Sequence, residues 1–351
     1  MEETPEFLII EHGEIDCGKI MSRLGGTIKI GKIIGKLEAG TKNQELIVND
    51  LKNNPRGNKL NFGVSFYASK PWKLGMEVKG ELKRAGVSCR LVTGRDPALS
   101  SVIVTKNKVQ EFLVLGKIYL GKTCAVQEFE DYSFRDYGRP GRDLVSGMMP
   151  PKLAKIMINL SQAPEGAVIL DPFCGSGTII QEALLLGYKN ITGCDISDKA
   201  ISDTKKNLAW LLENQNPKSQ ILDPKQIQNL KSQIGQADVR HLSKFASSVD
   251  AIITEPYLGP ALRGHETLGE VKKIVEELSA LYIEAFGEFR KILNPGGKIV
   301  IVFPSFRLGK EILELPILEK IKSLGFTQVN TDKLIYSREG QKVWRQIFVF
   351  R

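Results

Sequence analysis

Four short stretches in the second half of the chain contain residue types that could bind a ligand or do chemistry, and each lies at the end of a predicted strand. They are DPFCGSGT from Asp171, CD ending at Asp195, ADV ending at Val239, and TEPY from Thr254. A glycine-rich turn after a strand lets the backbone approach a ligand closely and points helix amides at it. An acid about twenty residues later suits two ribose hydroxyls. The pattern predicts a site for an adenosine-containing ligand.

The elements that would position these stretches alternate between strands and helices. Strands are predicted at 167–170 and ending at Asp195, Asp238 and Thr254, with a fifth in NPGGKIVIVFPS. Helices are predicted in PPKLAKIMINLSQA and at 198–212. In an open α/β sheet the carboxyl ends of such strands line one crevice. The sequence therefore predicts a doubly wound sheet with the four stretches at one edge.

The glycine turn differs from two common nucleotide-binding loops. It reads GSGT, without the three glycines of a dinucleotide fingerprint and without the GKS or GKT of a phosphate-binding loop. Each acid alone has a simpler explanation, because Asp195 could cap the next helix and Asp238 could belong to a turn. Their occurrence at successive strand ends favours a single ligand site.

The turn and its flanks resemble a known family. DPFCGSGTI looks like the S-adenosylmethionine loop of class I methyltransferases that modify base amino groups. RPGRDLVSGMMPPKLAKIMINLS resembles the segment before that loop in THUMP-domain guanine-N2 RNA methyltransferases, above all the archaeal and eukaryotic enzymes that act on guanosine 10 of tRNA. The tail LIYSREGQKVWRQIFVF is similar to the closing hairpin of that catalytic domain.

This resemblance implies an α/β fold, with a Rossmann-like class I methyltransferase domain after an N-terminal α+β THUMP-like RNA-binding region. The predicted division is a ferredoxin-like part at 1–55, a THUMP-like module at 56–128, a polar linker at 129–147 and the methyltransferase domain at 148–351. In the first half, strands are predicted in NFGVSFYA, CRLVTG, SSVIVTKNKV, EFLVLGKIYL and KTCAVQEF.

The implied cofactor is S-adenosylmethionine. Asp171 and the glycine turn would hold its methionine end, Asp195 its ribose, and Asp238 and Val239 its adenine. The full predicted set is Asp171, Pro172, Phe173, Cys174, Gly175, Gly177, Thr178, Asp195, Ile196, Asp238 and Val239. Cys174 could instead be a nucleophile for C5 methylation, but that chemistry places its cysteine near the fourth strand.

The predicted catalytic residues are Thr254, Glu255, Pro256 and Tyr257. Relatives have Asp, Asn or Ser followed by Pro-Pro-Tyr here, so Thr254 and Glu255 depart from the pattern. By resemblance, the residue at 254 and the carbonyl at 255 accept hydrogen bonds from a base amine, and Tyr257 stacks on the base. Three interpretations are open: a working site with a changed acceptor, a different substrate amine, or a domain without turnover. We predict the first.

The excess positive charge of the chain lies in one segment. The net charge is +9, and residues 52–110 contain 12 basic and 3 acidic residues, while the remainder has 37 of each. Within it, PWKLGMEVKGELKRAGV has the apolar spacing of one helical face. A basic module beside a neutral one is typical of nucleic-acid binders, although a solvated surface would look similar. The predicted RNA-binding residues are Lys70, Lys73, Lys79, Lys83, Arg84 and Arg90.

Cysteines, histidines and hydropathy indicate the cellular compartment and the kinds of site to expect. The five cysteines form no CxxC pair and predict reduced thiols in a cytoplasmic protein, without a disulfide framework. The three histidines lack metal-ligand spacing, and we expect no metal. No apolar run is long enough for a membrane span or signal peptide. The expected partner is tRNA; eukaryotic relatives can also require a small activating protein, a need that the sequence does not reveal. Alternatives are a non-catalytic RNA-binding protein or subunit, or an amino-methyltransferase for rRNA or DNA adenine.

Overall fold

The computed structural model describes residues 2–38, 43–54, 60–142, 147–214 and 224–351. Contacts divide the chain into two compact units, Met1–Asp131 and Tyr132–Arg351. The boundary falls inside the predicted linker at 129–147, where a helix, Phe129–Tyr137, is found. The finer four-part division stays a prediction. Among the described residues, no helix has the length and apolar character that a membrane crossing requires.

The first unit contains a mixed sheet of five strands in the described residues, in the order β3-β7-β6-β4-β5. These five strands are β3 (Lys29–Lys36), β4 (Leu60–Tyr67), β5 (Cys89–Leu91), β6 (Gln110–Leu115) and β7 (Tyr119–Val126), and a separate antiparallel pair is formed by β1 (Glu2–Glu3) and β2 (Leu8–Ile9). Its helices are α1 (Cys17–Arg23), α2 (Gln44–Asn53), α3 (Leu74–Arg84) and α4 (Ser101–Lys106). Helix α3 buries Leu74, Val78 and Leu82 in the core, as the spacing of its apolar residues predicts.

The predicted strand in SSVIVTKNKV is wrong, because residues 101–106 form the helix α4. The β-branched residues favour a strand locally. The Ser100 side chain, however, accepts a hydrogen bond from the Ile103 amide at 3.3 Å and so caps a helix. Val104 is buried against the smaller apolar cluster of this unit. Capping and burial together override the local strand preference.

The prediction that all cysteines are reduced is also wrong for two of them. Cys17 of α1 and Cys124 of β7 form a disulfide across a sequence separation of 107 residues. The spacing of cysteines along the chain could not predict this pair, because folding alone brings α1 and β7 together. Cys89, Cys174 and Cys194 are free thiols.

The second unit is built on a sheet of eight strands among the described residues. Seven follow the order β10-β9-β8-β11-β12-β15-β14, and β13 pairs with β12. The strands are β8 (Val168–Asp171), β9 (Asn190–Asp195), β10 (Ile234–Gln236), β11 (Val249–Thr254), β12 (Leu293–Leu308), β13 (Glu311–Glu314), β14 (Leu334–Tyr336) and β15 (Val343–Phe350). The five predicted strands of the sheet are therefore confirmed as β8 to β12.

Helices cover both faces of this sheet. They are α5 (Phe129–Tyr137), α6 (Pro151–Ser161), α7 (Thr178–Leu185), α8 (Asp198–Glu213), α9 (Pro224–Ser232), α10 (Leu268–Ile292) and α11 (Leu318–Ser323), with a 3₁₀ helix at Val239–Lys244. Two apolar clusters, one against each face, form the core. The helix α10 starts at a capping box in which the side chains of Thr267 and Glu270 bond each other's backbone amides.

The order in which successive strands are added to the sheet reverses between the parallel neighbours β8 and β11. Strands β8, β9 and β10 extend the parallel sheet to one side, and β11 and β12 extend it to the other. In a doubly wound sheet the crevice at such a switch point is the ordinary ligand-binding position. The strands that flank it end at Asp171 and Thr254, which belong to two of the predicted stretches.

Candidate active site

A cavity of about 550 Å³ opens at the carboxyl ends of β8, β9 and β11. It is lined by thirteen residues predicted from the sequence: Asp171, Pro172, Phe173, Cys174, Gly175, Thr178, Asp195, Ile196, Asp238, Val239, Glu255, Pro256 and Tyr257. Two predicted residues, Gly177 and Thr254, do not line it. Met148 and Met149, which the sequence did not single out, also contribute to its wall.

Side chains of α8 hydrogen-bond to the glycine turn between β8 and α7. Gly177 has a φ of +82°, and a Cβ there would lie 2.8 Å from Thr204. The Thr204 hydroxyl donates to the Gly175 carbonyl at 2.7 Å, and the Asn207 amide donates to the Ser176 carbonyl at 2.8 Å. Glycine at 177 is thus required both by the left-handed backbone and by the close approach of α8. The turn presents its outer side to the cavity.

Asp195 ends β9 and is fixed by two backbone amides. One carboxylate oxygen accepts from the Gly175 amide at 3.0 Å, and the other accepts from the Ser197 amide at 2.9 Å. Each carboxylate oxygen has two lone-pair directions. Asp195 can therefore hold the glycine turn and still accept hydrogen bonds from a pair of vicinal hydroxyls in the cavity.

Asp238 caps the 3₁₀ helix and is engaged by a neighbouring arginine. It accepts from the Arg240 amide at 2.9 Å, and the Arg240 guanidinium contacts both of its carboxylate oxygens. This hydrogen bonding lowers the pKa of Asp238. If Asp238 also contacts an adenine amino group, as predicted, its carboxylate must accept hydrogen bonds from that group and from Arg240 at the same time. The next residue, Val239, is buried at the cavity wall.

A buried hydrogen bond joins the two strands at the switch point. The Thr254 hydroxyl donates to Oδ1 of Asp171 at 2.7 Å, and the Phe173 amide donates to the same oxygen at 3.3 Å. Burial raises the pKa of Asp171 to about 7, although both hydrogen bonds lower it. Asp171 therefore changes charge near neutral pH.

The predicted role of Thr254 needs correction. Its side chain is completely buried and its hydroxyl is committed to Asp171, so it does not face the cavity where a substrate amine would lie. Thr254 instead holds the Asp171 carboxylate through this buried hydrogen bond. The groups that face the cavity at this strand end belong to the residues that follow, Glu255 to Tyr257.

Glu255 lines the cavity but is bound to an arginine of another strand. The Arg345 guanidinium of β15 contacts both carboxylate oxygens, with Nη2 3.3 Å from Oε2. The two side chains are only 11% and 13% exposed. Arg345 is not among the residues predicted from the sequence. The signal available was a single arginine within the apolar strand VWRQIFVF.

Tyr257 presents an accessible ring on a fixed backbone. Its side chain is half exposed at the cavity, and its carbonyl accepts from the Tyr282 hydroxyl at 3.2 Å. Burial raises the pKa of Tyr282 far above its usual value, so that phenol stays neutral and keeps its proton for this bond. An exposed aromatic ring of this kind can stack on a flat ligand.

Cys174 is not arranged as a nucleophile. It is buried, and burial raises the pKa of its thiol well above the usual value. A reactive cysteine needs the thiolate form. The structure therefore argues against the alternative of C5 methylation through Cys174.

The predicted RNA-binding residues lie in the first unit. Lys83 and Arg84 are exposed on α3, Lys79 of the same helix is partly buried, and Lys70, Lys73 and Arg90 are exposed in the flanking segments. Arg84 lies 3.8 Å from Glu81, a weak surface pair. Near them Trp72 is 40% exposed and packs edge-on against Phe66. This basic face has the composition expected for phosphate contacts.

Two family models match the chain. One, described as RMKL-like, methyltransferase domain, matches residues 140–334, which is more than half of the chain. The other, described as DNA methylase, matches residues 65–206. The first model includes the glycine turn, both strand ends at the switch point and TEPY.

Two curated archaeal proteins, both named tRNA (guanine(10)-N2)-dimethyltransferase, are similar to the chain. The protein of Methanocaldococcus jannaschii is 34% identical over 186 residues, 51% of this chain and 45% of that protein. The protein of Methanothermobacter thermautotrophicus is 31% identical over 199 residues, 56% of this chain and 51% of that protein. The chain spans about half the length of these relatives.

A solved structure, the crystal structure of TrmN from Thermus thermophilus, resembles the fold with a TM-score of 0.54 and 19% identity, covering 97% of this chain and 88% of that one. At this identity the likeness concerns the fold alone. Together with the sheet order and the cavity at its switch point, the match over residues 140–334 shows the methyltransferase fold. This chain belongs to the family of RMKL-like methyltransferase domains.

Proposed function

We propose that this chain transfers a methyl group from S-adenosylmethionine to the exocyclic N2 amine of a guanosine in tRNA. Position 10 is the proposed target because both archaeal relatives are named for it. The observation that supports this function best is the meeting of two strand ends at the switch point. Asp171 leads into the glycine turn, Thr254 leads into TEPY, and one hydrogen bond joins them.

The residues around the cavity fit the proposed cofactor. The carboxylate of Asp195 has lone pairs left for ribose hydroxyls, and Val239 offers an apolar wall for adenine beside Asp238. Asp171 would stabilise the positive methionine end, because an ionised carboxylate attracts the ammonium group. Gly175 and the turn before α7 allow close backbone contact.

Bound S-adenosylmethionine supplies a methyl group that its sulfonium makes electrophilic. The protein must orient a poor nucleophile, since the lone pair of the guanine amine is delocalised into the ring. We assign the orienting acceptor to the backbone carbonyl at Glu255, because the Thr254 hydroxyl is committed elsewhere. Tyr257 would stack on the base once it leaves its helix. This is the working-site interpretation, with a backbone acceptor.

In this proposal Glu255 is a positioning residue and does not transfer protons. Its ion pair with Arg345 anchors the segment after β11 to β15 and balances the carboxylate charge next to the cofactor. The proline that relatives have at position 255 would fix the backbone φ angle there. In this chain the ion pair between Glu255 and Arg345 restrains the same backbone segment instead.

The proposed RNA contact is the basic face of α3, which we assign to a THUMP-like module. Its lysines and arginines would bind tRNA phosphates and measure shape more than sequence. Action on tRNA places the protein in the cytoplasm in this proposal.

One observation favours a second candidate function. The match of residues 65–206 to a model described as DNA methylase is in keeping with amine methylation of a DNA base, in particular adenine. The exocyclic amines of DNA and RNA bases are equally poor nucleophiles, so the TEPY residues do not distinguish the two candidate functions. Identifying which nucleic acid is methylated distinguishes them.

The experiment that tests the proposal measures transfer of labelled methyl from S-adenosylmethionine to unmodified tRNA, to rRNA and to DNA. Nucleoside mass analysis then identifies the product. N2-methylguanosine in tRNA, mapped to position 10 and absent from a guanosine-10 substituted transcript, is the expected result. N6-methyladenine in DNA would favour the second candidate. Cofactor binding without transfer to any of the three, also with a candidate activating subunit present, would overturn the catalytic proposal.

A further inference from the structure

Three exposed basic side chains from distant parts of the chain come together in the second unit. They are Arg263 in the loop after β11, Arg307 near the end of β12, and Lys342 just before β15. The Arg307 amide donates to the Lys342 carbonyl at 2.8 Å. The Lys342 side chain lies against Gly264, where a Cβ would be 3.2 Å from its Cε. We call Arg263, Arg307 and Lys342 the rim cations.

The rim cations are not neutralised by acids of the protein. None of the three forms a salt bridge with an acid of the described residues. Glu266, three residues from Arg263, accepts hydrogen bonds from the backbone amides of Arg263 and Gly264, at 2.6 and 2.8 Å. It supplies one negative charge against three positive ones. Positive charges that are held together in this way repel each other and attract an anion from solution.

The rim cations lie beside the TEPY end of the cavity. The loop that contains Arg263 begins directly after Tyr257, and both Tyr257 and Gly259 line the cavity. A Cβ at Gly259 would lie 3.5 Å from the ring of Phe306, the residue before Arg307. The backbone at the cavity mouth is therefore in contact with the segment that holds Arg307.

The sheet order separates the rim cations from the acids of the proposed cofactor site. Strands β12 and β15 lie on one side of β11, whereas β9 and β10 lie on the other side, beyond β8. Asp195 ends β9, and Asp238 follows β10. An anion bound by the rim cations would thus lie on the side where the substrate base is proposed to enter.

An aromatic ring supports the Arg307 guanidinium. The guanidinium carbon lies 5.7 Å from the centre of the Trp344 ring, and the Trp344 indole N–H donates to the Gln341 carbonyl at 3.1 Å. Stacking on a ring orients a guanidinium and leaves its edge donors for an anion. Of these donors, Nε contacts the Gly309 carbonyl at 3.4 Å. The two terminal nitrogens are the ones that can reach an anion.

We propose that the rim cations bind backbone phosphates of the RNA strand that carries the methylated guanosine. The inference rests on the proposed function, because a base that is extruded into the cavity brings the phosphates on either side of it to the cavity mouth. Arginine and lysine are common phosphate partners, and such contacts fix the register of a nucleic acid without reading its bases. The rim cations therefore position the target nucleotide, and they act in addition to the basic face of α3.

The first test measures binding of unmodified tRNA to the full chain over a range of salt concentrations. The rim variant combines Arg263→Gln, Arg307→Gln and Lys342→Gln. It should bind tRNA about tenfold more weakly, and its slope of log affinity against log salt should fall by about 2, since each lost phosphate contact removes about 0.7. Its affinity for S-adenosylmethionine should stay within about twofold of wild type, which shows that the cavity is intact.

A control variant of equal charge combines Lys189→Gln, Lys320→Gln and Lys322→Gln. These are exposed lysines of the same unit that do not belong to the rim cations. The control should keep the wild-type affinity for tRNA and the wild-type slope. Equal losses in the rim variant and the control would assign the effect to net charge and overturn the proposal. An unchanged slope in the rim variant would overturn it as well.

The second test separates the rim cations from other phosphate contacts. A tRNA with uncharged methylphosphonate linkages on both sides of the target guanosine should bind the wild-type chain about fivefold to tenfold more weakly than unmodified tRNA. The rim variant should bind the two RNAs equally. If the same linkages weaken its binding as much as that of wild type, other residues contact these phosphates and the proposal fails. A wild-type chain that binds tRNA but transfers no methyl group would overturn the proposed function, whereas the salt slopes of the rim and control variants would still decide whether the rim cations bind phosphate.

Discussion

Glu255 at the carboxyl end of β11 and Arg345 in β15 form a nearly buried ion pair although 90 residues separate them in the chain. Strand β12 lies between their two strands in the sheet. The pair therefore connects TEPY to the antiparallel part of the sheet. It also leaves Glu255 without the freedom expected of a general base.

The first prediction concerns this pair. Arg345→Met leaves the Glu255 carboxylate unpaired and should lower the free energy of unfolding by about 3 kcal/mol. The double variant Glu255→Met with Arg345→Met should recover most of that stability, because an apolar pair can replace a buried ion pair. Methyl transfer should remain at least about tenfold below wild type in both. Urea titrations and kcat measurements check this. A double variant with full activity would show that the pair has no role in positioning TEPY.

The second prediction concerns pH and stability. Burial raises the pKa of Asp171 to about 7, against 3.8 for an unperturbed carboxyl. The folded state then binds the proton more tightly than the unfolded state. Stability from this group is complete below pH 3.8 and is lost as pH rises through 7. Asp171→Asn should therefore stabilise the free protein at pH 8 relative to wild type, by up to about 4 kcal/mol, and much less at pH 5.

Asp250→Asn is the control with the opposite sign. Hydrogen bonds from the Val168 amide and the Asn294 side chain lower the pKa of Asp250 below 3.8, so its contribution is lost only under more acidic conditions and stays constant from pH 5 to 8. This variant should be destabilised at pH 8. Thermal unfolding of both variants across pH 5 to 8 tests the assignment. Parallel pH profiles for the two would contradict it.

The parallel part of the sheet could be predicted from the sequence because its signals are local. β8, β11 and β12 contain apolar runs, β9 ends at an acid and β10 is followed by one two residues on, and strand–helix alternation implies a parallel sheet. Helix α4 could not be predicted, because SVIVT has strand-like composition and only the Ser100 cap and the burial of Val104 decide for a helix. The disulfide likewise depends on tertiary proximity of α1 and β7.

The residues around the cavity could be predicted because they follow strand ends, but their partners could not. Thr254 bonds Asp171 across 83 residues, and Arg345 reaches Glu255 across 90. Both contacts follow from which strands are neighbours, and a single sequence does not state the order of strands in a sheet.

The third prediction concerns the ribose contact. Asp195→Ala removes the acceptor for the hydroxyls and the carboxylate that holds the Gly175 amide. S-adenosylmethionine affinity should fall about 100-fold or more, as expected when two charge-assisted hydrogen bonds are lost. Asp198→Ala, three residues on in the exposed first turn of α8, should bind normally. Calorimetric affinity for Asp195→Ala within about threefold of wild type would place the ribose elsewhere.

The fourth prediction concerns the disulfide. Alkylation of the denatured, unreduced protein should modify three cysteines, Cys89, Cys174 and Cys194, and reduction should release two more. Replacing Cys17 and Cys124 by serine should lower the stability of the first unit by about 2–4 kcal/mol. Mass spectrometry counts the modified thiols. Five modified thiols in protein purified without reductant would show that this bond does not form, in line with a reducing cytoplasm.

The fifth prediction concerns RNA docking by the basic face of α3. The triple variant Lys79→Glu, Lys83→Glu and Arg84→Glu should weaken tRNA binding at least about tenfold and reduce the slope of log affinity against log salt by about 2. The cause is the loss of released counterions, since each phosphate contact contributes about 0.7 to 0.9 to that slope. Affinity for S-adenosylmethionine should not change.

A control of equal charge separates docking from a general effect of net charge. Lys310→Glu, Lys320→Glu and Lys322→Glu reverse three exposed lysines of the second unit. If long-range attraction by net charge dominates, both triple variants should lose tRNA affinity equally. If α3 is the docking face, the control should retain most of its affinity and its salt slope. Filter binding over a range of salt concentrations separates the two, and an unchanged slope in the α3 variant would mean that phosphates are bound by another surface.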